Sequence, residues 1–211
     1  MKISAVLTAD VVNSSYLSGS VMERLIQALK DELKDGTPPV HFYRGDGFNL
    51  LVPPEKALLT AARLRAISKT FQPAELQEDI DIRIAIGLGH VEEPVLSMAN
   101  GVGEAFNLSG RELDIIAKNS RRLAIRCSDV EAETGLRAVI LYADYILSRL
   151  TPKQAEVVLG LLRGSNEKEI ALLLHKKQPT VNKLKRAALW DEFEQLIQLY
   201  QELLSIMNQK D

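Results

Sequence analysis

The sequence predicts an α+β protein in which a sheet domain, residues 1–148, is followed by a small all-α domain, residues 149–211. Short apolar runs alternate with amphipathic helical patterns in the first part, as in an α+β sheet domain. Gly45-Asp46-Gly47 separates two strand patterns and favours a hairpin. Beyond Thr151-Pro152, a good N-cap and first helical position, every pattern is helical.

The first strand and helix are predicted from local signals. Residues 3–9 are apolar and rich in strand formers, which indicates a central strand buried on both faces. Ser20 and Glu23 have capping-box spacing, so a helix is expected to begin at Ser20 and to end at Gly36. Its inward face is predicted to carry Met22, Leu25, Ile26, Leu29 and Leu33.

The rest of the sheet domain follows from the hairpin onward. Strands are expected at residues 40–44 and 48–52, and Pro53-Pro54 opens the next helix. The strictly alternating run at 80–86 predicts a strand with one covered face. This β-α-β-β-α-β order is the split βαβ arrangement of ferredoxin-like folds. The remaining predicted elements are an extended segment near 90–97, a helix near 103–118, a strand at 122–127 and a helix around 129–148 that leads out of the domain.

Composition narrows the class of protein. The net charge is −2, so any contact with nucleic acid must come from a local basic patch. Cys127 is the only cysteine, which excludes an intramolecular disulfide and fits a reducing compartment. The N-terminus lacks a cleavage-site pattern, and no apolar run reaches bilayer length. We therefore expect a cytoplasmic protein without membrane contact.

Four polar residues form the strongest candidate site. Asp10 ends the first strand pattern, and Asp46 lies in the hairpin turn. Mg²⁺ or Mn²⁺ held by two such carboxylates would align and polarise a nucleoside triphosphate or another phosphate ligand. Asn107 and Arg111 are four apart and share a helix face, where they would hold ribose and phosphate oxygens. Each residue alone also has a structural explanation, as turn, cap or solvated surface.

These residues resemble the motifs of class III nucleotidyl cyclase domains. The segments are Asp10 in Ala9-Asp10-Val11-Val12, Gly45-Asp46, the strand Ile82 to Gly87, and Gly103-x-x-x-Asn107-x-x-x-Arg111. The resemblance covers roughly the first 125 residues and implies that Asp10 and Asp46 bind metal. It also implies that Asn107 and Arg111 stabilise the cyclisation transition state. The two base-selecting positions fall on Phe42 and Asn100, and phenylalanine cannot hydrogen-bond a base edge.

The chain is also similar, over nearly its full length, to the bacterial SatD-like proteins. The shared segments are Asp10 to Ser14, Gly45 to Phe48 and Gly103 to Phe106, together with a C-terminal helix-turn-helix. This resemblance implies an architecture, a cyclase-like domain joined to a helix-turn-helix, more than a reaction.

A helix-turn-helix pattern lies near the C-terminus. Its first helix is expected to begin at Glu167-Lys168-Glu169, and its second at Gln178-Pro179. Ala171 supplies the small contact between the helices, with Ile170 and Leu174 beside it, and Val181 and Leu184 form the inner face of the second helix. His175 stands at the turn position that favours positive φ, a conformation that histidine adopts more readily than most residues.

The charge of this segment favours DNA as the partner. Residues 151–190 contain eight Lys and Arg against three acids, a local charge of +5. The outward side chains are types that read base edges or bind phosphates. The predicted DNA-binding residues are Lys176, Lys177, Gln178, Thr180, Asn182, Lys183 and Arg186. A helical module that binds protein is the alternative.

The last helix, about 190–207, carries an apolar stripe that either packs on its own domain or forms a dimer seam. We expect a homodimer, because helix-turn-helix proteins commonly bind paired half-sites. The leading hypothesis is a DNA-binding regulator whose N-terminal domain senses a nucleotide or phosphate ligand. The alternatives are a nucleotidyl cyclase with atypical base selection and a non-catalytic protein-interaction module.

Overall fold

The computed structural model describes residues 3–34, 40–43, 45–71, 80–92, 95 and 98–208. Across these residues, no helix is both long and apolar enough to cross a bilayer. The strands are β1 (Ser4–Val11), β2 (Val40–Tyr43), β3 (Gly47–Val52), β4 (Ile82–Gly89) and β5 (Leu123–Cys127). The helices are α1 (Gly19–Glu32), α2 (Ala57–Thr70), α3 (Glu104–Ile116), α4 (Val130–Ser148), α5 (Pro152–Leu162), α6 (Glu167–Leu173), α7 (Gln178–Ala187) and α8 (Trp190–Asn208).

The five strands form one mixed sheet in the order β2-β3-β1-β4-β5. β1 pairs antiparallel with β3 and β4, β2 pairs antiparallel with β3, and β5 joins β4 in parallel. The predicted β-α-β-β-α-β order and the α+β class are therefore confirmed. β1 is the central strand and is buried on both faces, as its apolar sequence indicates.

Side chains alternate between the two faces of β1, and this alternation assigns the neighbours of each residue. Ala5, Leu7 and Ala9 belong to the large core that includes α1, α2 and α4. Thr8 faces α3 instead, where its hydroxyl lies 2.8 Å from that of Ser109. The Asp10 side chain therefore lies on the α3 side of the sheet.

β4 corrects the expectation of one covered face, because both of its faces are buried. Ile84 and Ile86 join the large core, while Ala85 packs against Ile116 of α3. Gly87 allows α3 to approach closely, since a Cβ there would lie 2.2 Å from the carbonyl oxygen of Ala105. The alternating polar residues at the start of this strand predicted one covered face, and they gave no sign that α3 covers the other.

The start of α1 also differs from the prediction. The helix begins at Gly19 after Ser18, and no side chain caps its N-terminus. The Ser20 hydroxyl lies 3.2 Å from the Ser18 hydroxyl, so the predicted capping box with Glu23 does not form. Leu25, Leu29 and Leu33 are buried, as the helical spacing indicates. Gly36, the predicted helix end, lies outside the described residues.

The C-terminal helices share a core with the sheet. α4, expected to lead out of the domain, packs against β5 and α8. The α8 stripe is buried within its own chain, which corrects its interpretation as a dimer seam. Its members in the core or packed against it are Trp190, Phe193, Leu196, Ile197, Tyr200, Leu203, Leu204 and Met207.

Polar contacts reinforce this packing across residue 149. The Arg63 guanidinium donates to the Leu162 carbonyl at 3.0 and 2.6 Å. The Tyr200 hydroxyl donates to the Pro54 carbonyl at 3.1 Å. The division into domains of residues 1–148 and 149–211 thus stays a prediction. One continuous hydrophobic core contains residues from both parts.

A buried ion network joins three elements beneath the sheet. The Arg65 side chain on α2 is fully buried and donates to Asp81, just before β4, at 3.0 and 2.6 Å. It also donates to Asp144 of α4 at 2.7 Å. Burial of a guanidinium is tolerated here because each of its nitrogens has a carboxylate or hydroxyl acceptor. The network fixes the position of α4 relative to the start of β4.

Candidate functional site

The structure brings Asp10 and Asp46 together at one end of the sheet. Asp10 pairs with Gly47 of β3, so the turn residue Asp46 comes directly beside it. The Val11 amide donates to the Asp46 carbonyl at 3.1 Å and closes this contact. The negative charge of Asp46 is one of the influences that raise the pKa of Asp10. Two residues far apart in the chain thus form an acidic pair.

Arg83 binds one member of this acidic pair. Its Nη1 lies 3.0 and 2.9 Å from the two carboxylate oxygens of Asp10. Burial is the largest influence on Asp10 and raises its pKa, whereas the Arg83 guanidinium lowers it. The Arg83 Nε is buried and has no hydrogen-bond partner among the described residues. The sequence interpretation treated Arg83 only as part of a strand and missed this contact.

Ser14 binds the other member. Its hydroxyl donates to Oδ2 of Asp46 at 2.6 Å, a short bond of the charge-assisted kind. Ser14 lies in a single helical turn that follows β1. Its hydrogen bond to Asp46 therefore connects this helical turn to the hairpin turn. Both carboxylates therefore have a partner within the chain.

One row of residues crosses the sheet at this level. Tyr43, Gly47, Asp10 and Arg83 are successive partners on β2, β3, β1 and β4. Directly paired residues share a face, so this row lies on the α3 side. The Tyr43 ring covers Gly47, where a Cβ would lie 2.7 Å from the ring. From one strand to the next, this row carries an aromatic ring, a glycine without a side chain, a carboxylate and a guanidinium.

The two predicted base-binding residues occupy different places. Phe42 alternates with Tyr43 and packs on Phe48, with ring centroids 5.1 Å apart, on the face opposite Asp10. The Lys30 ammonium lies over the Phe42 ring. Asn100 is exposed, in a short turn (Met98–Asn100) that lies close to β2 and β3. Met98 of that turn packs on Val6, which places Asn100 near the Asp10 side of the sheet.

Asn107 and Arg111 share a face of α3, as their spacing predicts, but that face is exposed. The helix instead buries four other positions against the sheet: Ala105, Ser109, Glu112 and Ile116. Within one chain, the structure does not place Asn107 and Arg111 beside the acidic pair. A catalytic role for these two residues stays a prediction. It would require the substrate to contact the outer face of α3.

The acidic pair has a donor set that suits Mg²⁺ or Mn²⁺. These ions take one or two protein carboxylates and fill their other positions with water and phosphate oxygens. In the described part of the chain, no cluster of three or more acidic, histidine or cysteine side chains surrounds a metal position. A metal at Asp10 and Asp46 would have to displace Arg83 from Asp10 or use the outer oxygens of both groups.

The predicted helix pair near the C-terminus lies where the sequence places it. α6 begins at Glu167, with Asn166 as a capping-box N-cap, and α7 begins at Gln178. His175 has φ 51°, the positive value expected for the turn. α5, α6 and α7 pack together through a small separate core, which contains Val157, Ile170, Ala171 and Val181 with Leu161, Leu174 and Leu184 beside them.

α7 presents most of its surface to solvent. Val181 is its only buried residue, and all predicted DNA-binding residues on it are exposed: Gln178, Thr180, Asn182, Lys183 and Arg186. The Lys176 ammonium is held 3.0 Å from Glu156. Lys177, Lys183 and Arg186 form no ion pair within the described residues. Three exposed cations of this helix pair thus have no carboxylate partner within the described residues.

Comparison with known proteins gives matches at the level of structure. No protein-family model matches the sequence, and no curated protein matches it either. The chain is similar to the active GGEEF domain of a diguanylate cyclase from Vibrio cholerae, with TM-score 0.42 and 14% identity over 60% of this chain and 83% of that one.

Two further structures are similar. The non-canonical dimeric guanylyl cyclase domain of the RhoGC fusion protein from the aquatic fungus Blastocladiella emersonii has TM-score 0.43 and 25% identity, over 54% of this chain and 73% of that one. A bacterial light-regulated adenylyl cyclase has TM-score 0.43 and 14% identity, over 59% of this chain and 43% of that one. The similarity is therefore to domains of nucleotidyl cyclases, at low identity.

Proposed function

We propose that this chain is a DNA-binding regulator in which α7 is the recognition helix. The observation that carries the proposal is the exposure of α7: one buried residue anchors it, and its polar and basic side chains face solvent. A helix that serves only packing would bury a wider apolar stripe. A recognition helix instead needs only a few buried residues to hold it in place, and an exposed face that can enter the major groove.

The electrostatics support this proposal. Lys177, Lys183 and Arg186 are exposed and form no ion pair within the described residues, so their charges are available to phosphates. The chain as a whole carries −2, so this charge is local. Contacts to phosphate position a protein on DNA, while Gln178, Thr180 and Asn182 are of types that contact base edges.

The test is DNA binding by the full chain at low salt, measured by fluorescence anisotropy with a labelled mixed-sequence duplex. Wild type should bind, and the double variant Lys183→Glu/Arg186→Glu should lose at least about tenfold in affinity. Lys118→Glu, an exposed change at the end of α3, is the matched control and should bind like wild type. Absence of binding by wild type at low salt overturns the proposal.

For the sheet domain, we propose that Asp10 and Asp46 bind a divalent cation together with a nucleotide or another phosphate ligand. Their adjacency supports this, because one cation can contact two neighbouring carboxylates. Titration calorimetry with Mn²⁺ and each common nucleoside triphosphate tests it, and Asp46→Asn should abolish the metal-dependent heat. Heat that persists in Asp46→Asn, or is absent from wild type, overturns this half of the proposal.

The same samples separate binding from catalysis. Asn107 and Arg111 lie on the outer face of α3, so a cyclase reaction at the acidic pair would need these groups from another chain. Phe42, at one of the two base-selecting positions, packs on the opposite face of the sheet and cannot hydrogen-bond a base, so we expect no cyclic nucleotide after incubation with Mg²⁺ or Mn²⁺. Formation of a cyclic product that Asp46→Asn removes would favour the cyclase instead. Binding of neither DNA nor nucleotide would favour a protein-interaction module.

A further inference from the structure

The amide of Asn182, near the middle of α7, is held by a carboxylate of the neighbouring helix. Its Nδ2 donates to Glu167, the first residue of α6, and lies 3.3 and 3.4 Å from the two carboxylate oxygens. A carboxylate only accepts hydrogen bonds, so it attracts the NH₂ end of an amide and repels the carbonyl end. The contact therefore fixes the orientation of the Asn182 amide, with Nδ2 toward Glu167 and Oδ1 away from it.

Asn182 is also the centre of a row of exposed polar side chains. Gln178, Asn182 and Arg186 are spaced four apart on α7, so they follow one another along one edge of the helix. The buried residue Val181 is one position away, about 100° around the helix. The row thus lies at the boundary between the packed side of α7 and its solvent side. A residue at this boundary is able to meet DNA while its own protein holds it from behind.

The charge of Glu167 is partly offset by a lysine. The Lys185 ammonium lies 3.8 Å from Glu167 and 3.1 Å from Asp191 of α8. A carboxylate beside a DNA-binding helix repels phosphates, so Glu167 lowers the affinity for DNA of any sequence. Its contribution to DNA binding must therefore come from something other than its charge, and the orientation of Asn182 is such a contribution.

The free edge of the oriented amide matches adenine. In the major groove, adenine presents the N7 acceptor beside the N6 amino donor, and one asparagine amide bonds both. The NH₂ group has two hydrogens, so one points at Glu167 while the other, together with Oδ1, faces the base. Guanine would place an acceptor opposite Oδ1, and cytosine would offer only its N4 donor.

We propose that Glu167 is a positioning residue for sequence reading, which holds the Asn182 amide in the orientation that selects an adenine in the DNA site. The inference rests on the proposed DNA binding by α7, and it adds the base that is read and the residue that makes the reading selective. Without Glu167, the Asn182 side chain would have to be ordered on binding, at a cost in entropy.

The experiment uses the full chain and begins with selection of its preferred site from a random duplex library. Fluorescence anisotropy at one salt concentration then compares that site with versions that carry each other base at each position. We expect one adenine whose replacement weakens wild-type binding at least about fivefold, and Asn182→Ala should remove this preference. At the same position, 7-deazaadenine, which lacks the N7 acceptor, should weaken the binding of wild type but not that of Asn182→Ala.

Two substitutions of Glu167 separate orientation from charge. Glu167→Ala removes both the acceptor and the charge, so the preference for adenine should fall to about twofold or less, while the affinity for mixed-sequence DNA should stay the same or rise. Glu167→Gln removes the charge but keeps an oxygen acceptor for Nδ2, so it should retain most of the preference. A structural defect in the helix pair would instead weaken binding to every duplex, and circular dichroism should show that each variant is folded.

The outcomes distinguish this inference from the DNA binding on which it rests. If wild type binds no duplex at low salt, both fail. If wild type binds DNA but shows no adenine preference that depends on Asn182, only the inference is overturned. The same holds if Glu167→Ala keeps the full preference, or if Glu167→Gln loses it as completely as Glu167→Ala does.

Discussion

Asp10 and Arg83 face each other across the central pair of strands, and Nη1 of Arg83 lies within 3.0 Å of both carboxylate oxygens of Asp10. The register of β1 and β4 makes them direct partners. The carboxylate that the sequence marks as a metal ligand is therefore also half of an ion pair. Asp46, supported by Ser14, adds the second negative charge beside it. The metal binding proposed for the sheet domain would depend on how these three charged groups compete.

The first prediction concerns the pKa of Asp10. Burial raises it above its ordinary value, Arg83 opposes that rise, and Asp46 adds to it. Arg83→Gln should therefore raise the pKa of Asp10 further, while Asp46→Asn should lower it. Carbon-detected NMR titration of the carboxyl groups measures both. A pKa of Asp10 that does not respond to Asp46→Asn would show that the two carboxylates do not interact.

The same raised pKa gives a pH dependence of stability. Between the unfolded and the folded pKa of Asp10, the native state binds more protons than the unfolded state, so the free energy of unfolding falls as pH rises through that interval. Asp10→Asn should remove this contribution. Urea unfolding from about pH 3.5 upward, compared between wild type and variant, checks it, since pH 3.5 lies just below the ordinary range of aspartate. A difference that grows in the opposite direction contradicts the prediction.

A third prediction tests competition between Arg83 and a metal. If the acidic pair binds Mn²⁺, Arg83→Gln should tighten that binding on the order of tenfold, because it frees both oxygens of Asp10 and removes a nearby positive charge. Arg121→Gln is the control, since it changes a cation outside the row. Calorimetry at constant pH measures the affinity of wild type and of each variant for Mn²⁺. Weaker Mn²⁺ binding by Arg83→Gln would mean that the guanidinium orders Asp10 rather than blocks it.

The sequence predicted best the features that local signals determine. Thr151 with Pro152 starts a helix as predicted, α6 begins at Glu167 as expected, and His175 adopts the positive φ that its turn position requires. Each depends on residues within one turn of the chain. The hairpin at Asp46 is also local, and the pairing of β1 with β3 then carries Asp46 to Asp10.

Contacts between distant elements were harder to predict. Arg83 reaches Asp10 only through the register of β1 and β4, which no local pattern reveals. For α3, spacing correctly groups Asn107 with Arg111, but it does not say which face meets the sheet. Glu112 lies on the inner face although it is charged, because Arg126 pairs with it at 2.6 Å. The α8 stripe packs internally for a similar reason, since α4 and the sheet domain are there to cover it.

A fourth prediction distinguishes available from occupied cations at the DNA-binding helix pair. Lys183 forms no ion pair within the described residues, whereas the Lys176 ammonium is 3.0 Å from Glu156. If the chain binds DNA, Lys183→Ala should reduce the slope of log affinity against log salt by about 0.9, the contribution of one phosphate contact. Lys176→Ala should change it less. Equal slopes for both variants and wild type would place the DNA contact elsewhere.

The fifth prediction concerns Arg65, whose guanidinium joins α2, the start of β4 and α4. Arg65→Met fills similar space but leaves the Asp81 and Asp144 carboxylates buried without their main partner. Lys69, 3.6 Å from Asp81, compensates only in part. We expect the free energy of unfolding to fall by about 3 kcal/mol or more.

Arg163→Met is the matched control for that measurement. It removes a guanidinium that pairs with Glu32 at 2.5 Å, but the Arg163 side chain is 47% exposed. Water screens the Arg163 end, and Glu32, itself 9% exposed, keeps Arg63 at 3.8 Å, so this loss should cost about 1 kcal/mol or less. Urea unfolding of both variants at neutral pH compares the two ion pairs. Equal losses would mean that burial adds nothing at Arg65, and that α4 is held to the sheet by its apolar contacts alone.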